Sequence, residues 1–174
     1  MLLSIITINK NNGSGLKKTI ESVISQTYTG AEYIVIDGNS NDDSKKIIES
    51  FKNKINFSLS EEDSGIYEAQ NKGIAKARGK YLLFLNSGDV LANENILQTI
   101  TPLLKEKSFY YGDLILQKEG KQETHSAPKK MDLDFGARAA RASIAGFAKL
   151  NSSRLRALSR VFFPIVRAIP LRFC

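Results

Sequence analysis

Apolar runs of strand length alternate with stretches of helical period through the first ~104 residues of this 174-residue chain, and that alternation admits few folds. It is the mark of βαβ units and of a largely parallel sheet covered by helices. Residues 2–8 read as a first strand, and Leu16, Ile20, Val23 and Ile24 then share one face of a helix over 16–26. A second strand at 33–36 ends on Asp37 and runs into the turn formers Gly38-Asn39-Ser40-Asn41. Asn41 or Asp42 is placed to cap a second helix that buries Ile47, Ile48 and Phe51, and 55–59 form a third strand. A helix over 65–77 buries Ile66, Ala69, Gly73, Ile74 and Ala77, with Gly79 as a left-handed C-cap. The run at 81–85 is expected at the centre of the sheet, a helix follows over 94–104, and 109–117 with 122–125 form an edge hairpin around Lys118-Glu119-Gly120-Lys121.

Charge divides the chain. Residues 1–135 hold 17 Lys and Arg against 18 Asp and Glu, whereas 136–174 hold 8 basic residues and no acid, so the net charge of +7 belongs to the tail. Arg78 is the sole arginine before residue 136, and seven of the eight basic residues after it are arginine. We therefore expect a core over 1–128, a junction over 129–135 and a basic tail over 136–174, helical or disordered. The N-terminus lacks a basic leader and reads as a strand rather than a signal peptide. No apolar run reaches the ~18 residues of a membrane span, so any membrane contact is expected to be peripheral. The single Cys174 forms no internal disulfide, and His125, without Cys or acidic neighbours at metal spacing, reads as a surface residue.

In parallel α/β sheets ligands gather beyond the carboxyl ends of strands. Those positions hold Thr7 and Asn9, then Asp37, then Glu61-Glu62-Asp63, then Asn86-Ser87-Gly88-Asp89. An ionised Asp37 can only accept, which suits the imino N–H of uracil, thymine or guanine; it equally suits the capping of a loop. Asp89, freed by the bend at Gly88, can offer a carboxylate to Mg or Mn, or can simply belong to a surface turn.

The ordered segments Ser4–Asn9, Ile20–Tyr28, Val35–Asp42, Glu62–Gly73 with Gly79-Lys80-Tyr81, and Phe84–Asp89 resemble the family-2 glycosyltransferases over about two thirds of the chain. The resemblance implies a GT-A-like three-layer α/β sandwich with a mostly parallel central sheet. It implies that Thr7, Ile8 and Asn9 line the base pocket, that Asp37 holds the imino edge of the base, and that Asp63 and Asn71 lie near the ribose and diphosphate. Asn86 and Gly88 replace acidic positions of the family's DXD motif, leaving Asp89 as ligand for a divalent Mg or Mn cofactor. The implied reaction moves a sugar from a UDP-, dTDP- or GDP-sugar donor to a saccharide or lipid-linked acceptor with inversion, in polysaccharide biosynthesis at the cytoplasmic face of a bacterial membrane. A carboxylate base is required. Asp113 and Asp132 are candidates, and none is assigned.

Past residue 135 the family's acceptor-binding region gives way to the basic segment. Two readings stand for it: an amphipathic membrane-surface element with Ile144, Phe147, Leu155, Leu158, Val161 and Phe162 on one side, or sequence from a shifted frame or artificial junction. A nucleotide-sugar-binding protein without turnover is the alternative function. A dinucleotide fingerprint at Gly13-Ser14-Gly15 fails because Lys18 stands at its third glycine. A nucleic-acid module, resting on tail charge alone, is not expected.

Overall fold

The computed structural model describes residues 1–104, 114–118, 121–125 and 165–167. Six elements establish the order β1 (Leu3–Asn9), α1 (Gly13–Ile24), β2 (Ala31–Asp37), α2 (Ser44–Ser50), β3 (Phe57–Ser60) and α3 (Ile66–Lys76). Then come β4 (Tyr81–Phe84), α4 (Ile96–Ile100), a 3-10 turn over Thr101–Leu103, β5 (Leu114–Lys118), β6 (Lys121–His125) and β7 (Ile165–Arg167). The main sheet runs β3-β2-β1-β4-β7, parallel except for the antiparallel β7. Chain order proceeds outward from β1 to β3 and then jumps to β4 on the other side of β1. The order therefore reverses at β1, a switch point of the kind beyond whose carboxyl ends open α/β sheets bind ligands.

Burial on both faces makes β1 continuously buried, and its side chains alternate between two cores. Leu3 and Ile5 join Tyr33, Val35 and Leu83 beneath Leu16, Ile20 and Val23 of α1, Ile48 of α2 and Leu97 of α4. Ile6 and Ile8 join Ile34, Ile36 and Leu82 against Ala69 of α3. Helices on both faces complete the three-layer sandwich. Gly73 is what lets α3 lie close to the sheet, since a Cβ there would fall 2.5 Å from Ile6 Cγ2.

At the amino edge, register places Ser4 beside Glu32, and the Ser4 hydroxyl donates to Glu32 Oε1 at 2.5 Å. The same carboxylate accepts from the Arg78 backbone N–H, from Arg78 Nε at 3.1 Å and from the Gly79 N–H at 3.1 Å. Although Glu32 is 2% exposed and burial pushes its carboxyl up, the bonds from Ser4 and Arg78 hold it below the usual range.

Several expectations change. The strand at the centre is β1, with β4 beside it, because buried apolar runs look alike whether they sit at the centre or one place away. Gly79 is not left-handed; α3 ends at Ala77 in extended geometry. Glycine is required at 79 by close approach, a Cβ there falling 2.5 Å from Ser4 N. The fourth helix is shorter than its apolar period and breaks into the 3-10 turn at Thr101-Pro102. The hairpin is a separate two-stranded sheet, not an edge of the main one. Ile165–Arg167 pair with β4 as a strand, where helix or disorder was expected; the rest of the tail, the junction, Asp113 and Asp132 lie outside the described residues.

Candidate functional site

Register brings Asn9, Asp37 and Ser60 side by side at the carboxyl ends of β1, β2 and β3. Asp37 is fully buried, and its two oxygens take four hydrogen bonds. Oδ1 accepts from Asn9 Nδ2 at 2.7 Å and from the Ser40 hydroxyl at 2.5 Å; Oδ2 accepts from the Ser40 N–H at 3.0 Å and from the Ser60 hydroxyl at 2.6 Å. Burial pushes this carboxyl up, but the donors from Ser40, Ser60 and Asn9 outweigh that effect and hold it below the usual carboxylate range. Asp37 is therefore an anchored carboxylate. Contact with a base imino group requires one hydroxyl to turn away.

Asn9 extends the network by donating to Ser44 Oγ at 2.9 Å and Ser40 Oγ at 3.3 Å. Thr7 is buried with its hydroxyl accepting from Tyr33 at 3.0 Å, so Thr7 and Ile8 can face a ligand only through the backbone. The loops after β1 and β2 are tied together: the Asn11 N–H donates to Ser40 Oγ at 2.8 Å, and the Asn41 N–H donates to Asn11 Oδ1 at 2.8 Å. Asn11 and Asn39 adopt positive φ of 50° and 57°, which asparagine tolerates well. The cap at α2 is Asp43 by position, without a side-chain bond. It is Asp42 whose carboxylate serves two helix starts, accepting from Ser44 N at 3.0 Å and Gly13 N at 2.8 Å.

After β3, Asp63 Oδ1 accepts from the Gly65 N–H at 3.0 Å, and Gly65 has φ 137°, a conformation that favours glycine. A Cβ on Gly38 would collide with Asp63 Oδ2 and lie 3.2 Å from Lys10 Cδ. Gly38 thus lets Asp63 fold back over the end of β2. Lys72 fixes this loop to α3 through Glu61 at 2.9 Å, Glu68 at 3.1 Å and the Glu62 carbonyl at 2.7 Å. Hydrogen bonds from Ser64, with Lys72 adding to them, hold the Glu68 carboxyl down to about 2. Asn71 lies exposed on the same helix.

The turn after β4 is clamped through its backbone. Thr19 Oγ1 accepts from the Gly88 N–H at 2.9 Å and donates to the Asp89 carbonyl at 2.8 Å, Asn12 Nδ2 donates to the Ser87 carbonyl at 3.0 Å, and the Ser87 N–H donates to the Ile8 carbonyl at 3.1 Å. Gly88 has φ 100°. Asn12 also caps α1 by accepting from the Gly15 N–H at 3.2 Å. The Gly13-Ser14-Gly15 sequence thus has a structural explanation without a dinucleotide. Among the described residues no three His, Cys, Asp or Glu side chains converge on a metal position. Asp89 is the carboxylate that this turn supplies, a donor set that fits a Mg or Mn ion whose other ligands are phosphate oxygens and water.

The hydroxyls of Ser40, Ser44 and Ser60 and the clamp from Thr19 escape a reading of sequence. Serine is so common in turns that only strand register marks these out. Position signals only two of them, since Ser60 ends β3 and Ser40 lies just beyond β2, whereas Ser44 opens α2 and Thr19 lies within α1.

A three-layer sandwich on a mostly parallel sheet with this switch point is GT-A-like, and solved structures agree. TarS of Staphylococcus aureus, in a complex described as containing UDP-GlcNAc, superposes with TM-score 0.60 at 22% identity, over 74% of this chain and 37% of that one. The mannosyltransferase PcManGT of Pyrobaculum calidifontis, in complex with GDP-Man and Mn2+, gives 0.55 at 16% identity, over 67% and 35%. The sequence profile described as "Glycosyl transferase family 2" matches residues 4–160, and the chain belongs to that family. An uncharacterized glycosyltransferase of Mycobacterium tuberculosis is 39% identical over 106 residues, 60% of this chain and 40% of the relative. TarP of Staphylococcus aureus, a poly(ribitol-phosphate) beta-N-acetylglucosaminyltransferase, is 33% identical over 133 residues, 73% of this chain and 39% of the relative. The chain spans about 40% of the length of these curated relatives.

Proposed function

We propose that this chain carries the donor-binding site of an inverting glycosyltransferase that moves a sugar from a nucleoside-diphosphate sugar to a saccharide or lipid-linked acceptor in polysaccharide biosynthesis. The observation that carries the reading is the convergence, at one edge of the sheet, of the Asn9–Asp37–Ser60 row, the folded-back Asp63 and the clamped turn ending in Asp89. Backbone groups of Thr7, Ile8 and Asn9 border the base. Asp37 takes its imino N–H in exchange for a serine hydroxyl, a swap that an ionised acceptor with rotatable neighbours permits. Asp63 and Asn71 border the ribose and diphosphate. A divalent Mg or Mn ion held by Asp89 would offset charge developing on the leaving diphosphate.

Family membership, and relatives named as glycosyltransferases, support this activity. TarS with UDP-GlcNAc and PcManGT with GDP-Man leave the base open between uracil and guanine. Calorimetry with UDP-, dTDP- and GDP-sugars, with and without Mn, tests the site. Binding of one of them that Mn strengthens is expected, and binding of none overturns the reading. A sugar-release assay on the same samples separates a transferase from a protein that binds without turnover.

Among the described residues no helix is long and apolar enough to cross a membrane. The basic tail gives the protein a peripheral hold on the anionic inner face of the plasma membrane, placing it in the cytoplasm beside a lipid-linked acceptor. Failure to sediment with anionic vesicles at low salt removes that placement.

A further inference from the structure

The carboxyl edge of the sheet is acidic: Asp37 ends β2, Glu61, Glu62 and Asp63 follow β3, and Asp89 closes the turn after β4. A diphosphate bound there needs positive charge, and one carboxylate-held metal ion brings two charges while adding its own acidic ligand. The lysines that surround this edge are mostly engaged. Lys72 is held by Glu61 and Glu68, Lys46 pairs with Asp43 at 2.9 Å, and Lys45 donates to Asn39 Oδ1 at 2.6 Å.

Lys10 differs from all three. It is the first residue after β1, at the carboxyl-end switch point where the strand order reverses. A Cβ on Gly38 would lie 3.2 Å from Lys10 Cδ and collide with Asp63 Oδ2, so the lysine stem and that carboxylate border the same glycine, and the backbone neighbours of Lys10 are fixed by the Asn9 and Asn11 networks. Lys10 is exposed and makes no ion pair or side-chain hydrogen bond among the described residues.

We infer that Lys10 is a specificity-determining residue of the donor site, its ammonium meeting the diphosphate of the bound nucleotide. This rests on the donor-site reading and deepens it. The three features that carry it are location at the switch point, a stem beside Gly38, and a cation without a protein partner among the described residues. A compact ammonium on a flexible stem recognises phosphate as a point charge, and the gain is screened by salt because the site is open.

Calorimetry in EDTA, so that no metal masks the lysine, compares uridine, UMP and UDP, or the guanosine series if the unaltered chain binds that base. For Lys10→Met, UDP binding is expected to weaken about tenfold, as for loss of a charge-assisted hydrogen bond, while uridine binding is unchanged. Lys10→Arg is expected to regain most of the loss, and the difference between the unaltered chain and Lys10→Met should shrink as salt rises. Equal weakening of nucleoside and diphosphate would mean that the lysine only shapes the loop, and unaltered UDP affinity would mean that it does not meet phosphate; either overturns the inference alone. If the unaltered chain binds no nucleoside diphosphate with Mn or without it, the donor reading falls and takes this inference with it; binding that appears only with Mn overturns the inference alone.

Discussion

Asp37 ends β2 and Asp89 closes the turn after β4, and the two carboxylates stand in different surroundings. Asp37 sits among four donors, whereas the Asp89 turn is held by its backbone. Asp37→Asn makes one oxygen a donor facing hydroxyls or amides that were arranged to give. A loss of about 1–3 kcal/mol in urea unfolding is expected, together with weaker nucleotide binding. Gly38→Ala puts a methyl group where the Asp63 carboxylate lies, so nucleoside-diphosphate affinity should fall in calorimetry more than the unfolding midpoint does. The carboxylates were legible in sequence because strand-end acids stand out. Ser40, Ser44 and Ser60 were not, since their importance comes from the register that sets β1, β2 and β3 side by side.

Elements were most readable where burial on both faces gave runs dominated by apolar residues, as in β1 and β2. Glycine was harder to read. At 73 and 79 it marks close contact with β1, not a turn, and sequence offers no sign of which of these a glycine serves. Gly73→Ala should force α3 away from Ile6 and destabilise by about 1–3 kcal/mol, read as a lower denaturant midpoint. The hairpin was legible, but its place was not, because β5 and β6 pair with each other and the turn between them signals that pairing alone. Between elements, the Thr19 hydroxyl joins α1 to the turn that carries Asp89. Thr19→Val keeps the shape and removes both bonds, so it should weaken the Mn-dependent part of nucleotide binding more than the metal-free part, measured by paired titrations with Mn and EDTA.

For the whole molecule, the two ends of the sheet are built from different bonds. The amino edge is closed by one buried carboxylate, Glu32, bridging β1, β2 and the segment before β4. Glu32 and Asp37 both have lowered native values, so the folded state binds protons less readily than the unfolded one. Their stabilisation is complete above their ordinary values of 4.5 and 3.8, and it is lost as pH falls through the lower native values. The melting temperature should therefore hold steady from about pH 7 to 5 and drop below about pH 4. Glu32→Gln should melt lower at neutral pH and show a shallower acid fall. The carboxyl edge also has a buried carboxylate, Asp37, but its partners are chiefly serine hydroxyls and a side-chain amide, which can exchange partners without uncovering either apolar core. In terms of time, that edge is the one expected to open briefly and often. Amide hydrogen exchange should be slow along 3–6 and 33–36 and faster over 38–44 and 86–89, and a bound nucleotide should slow the second pair alone.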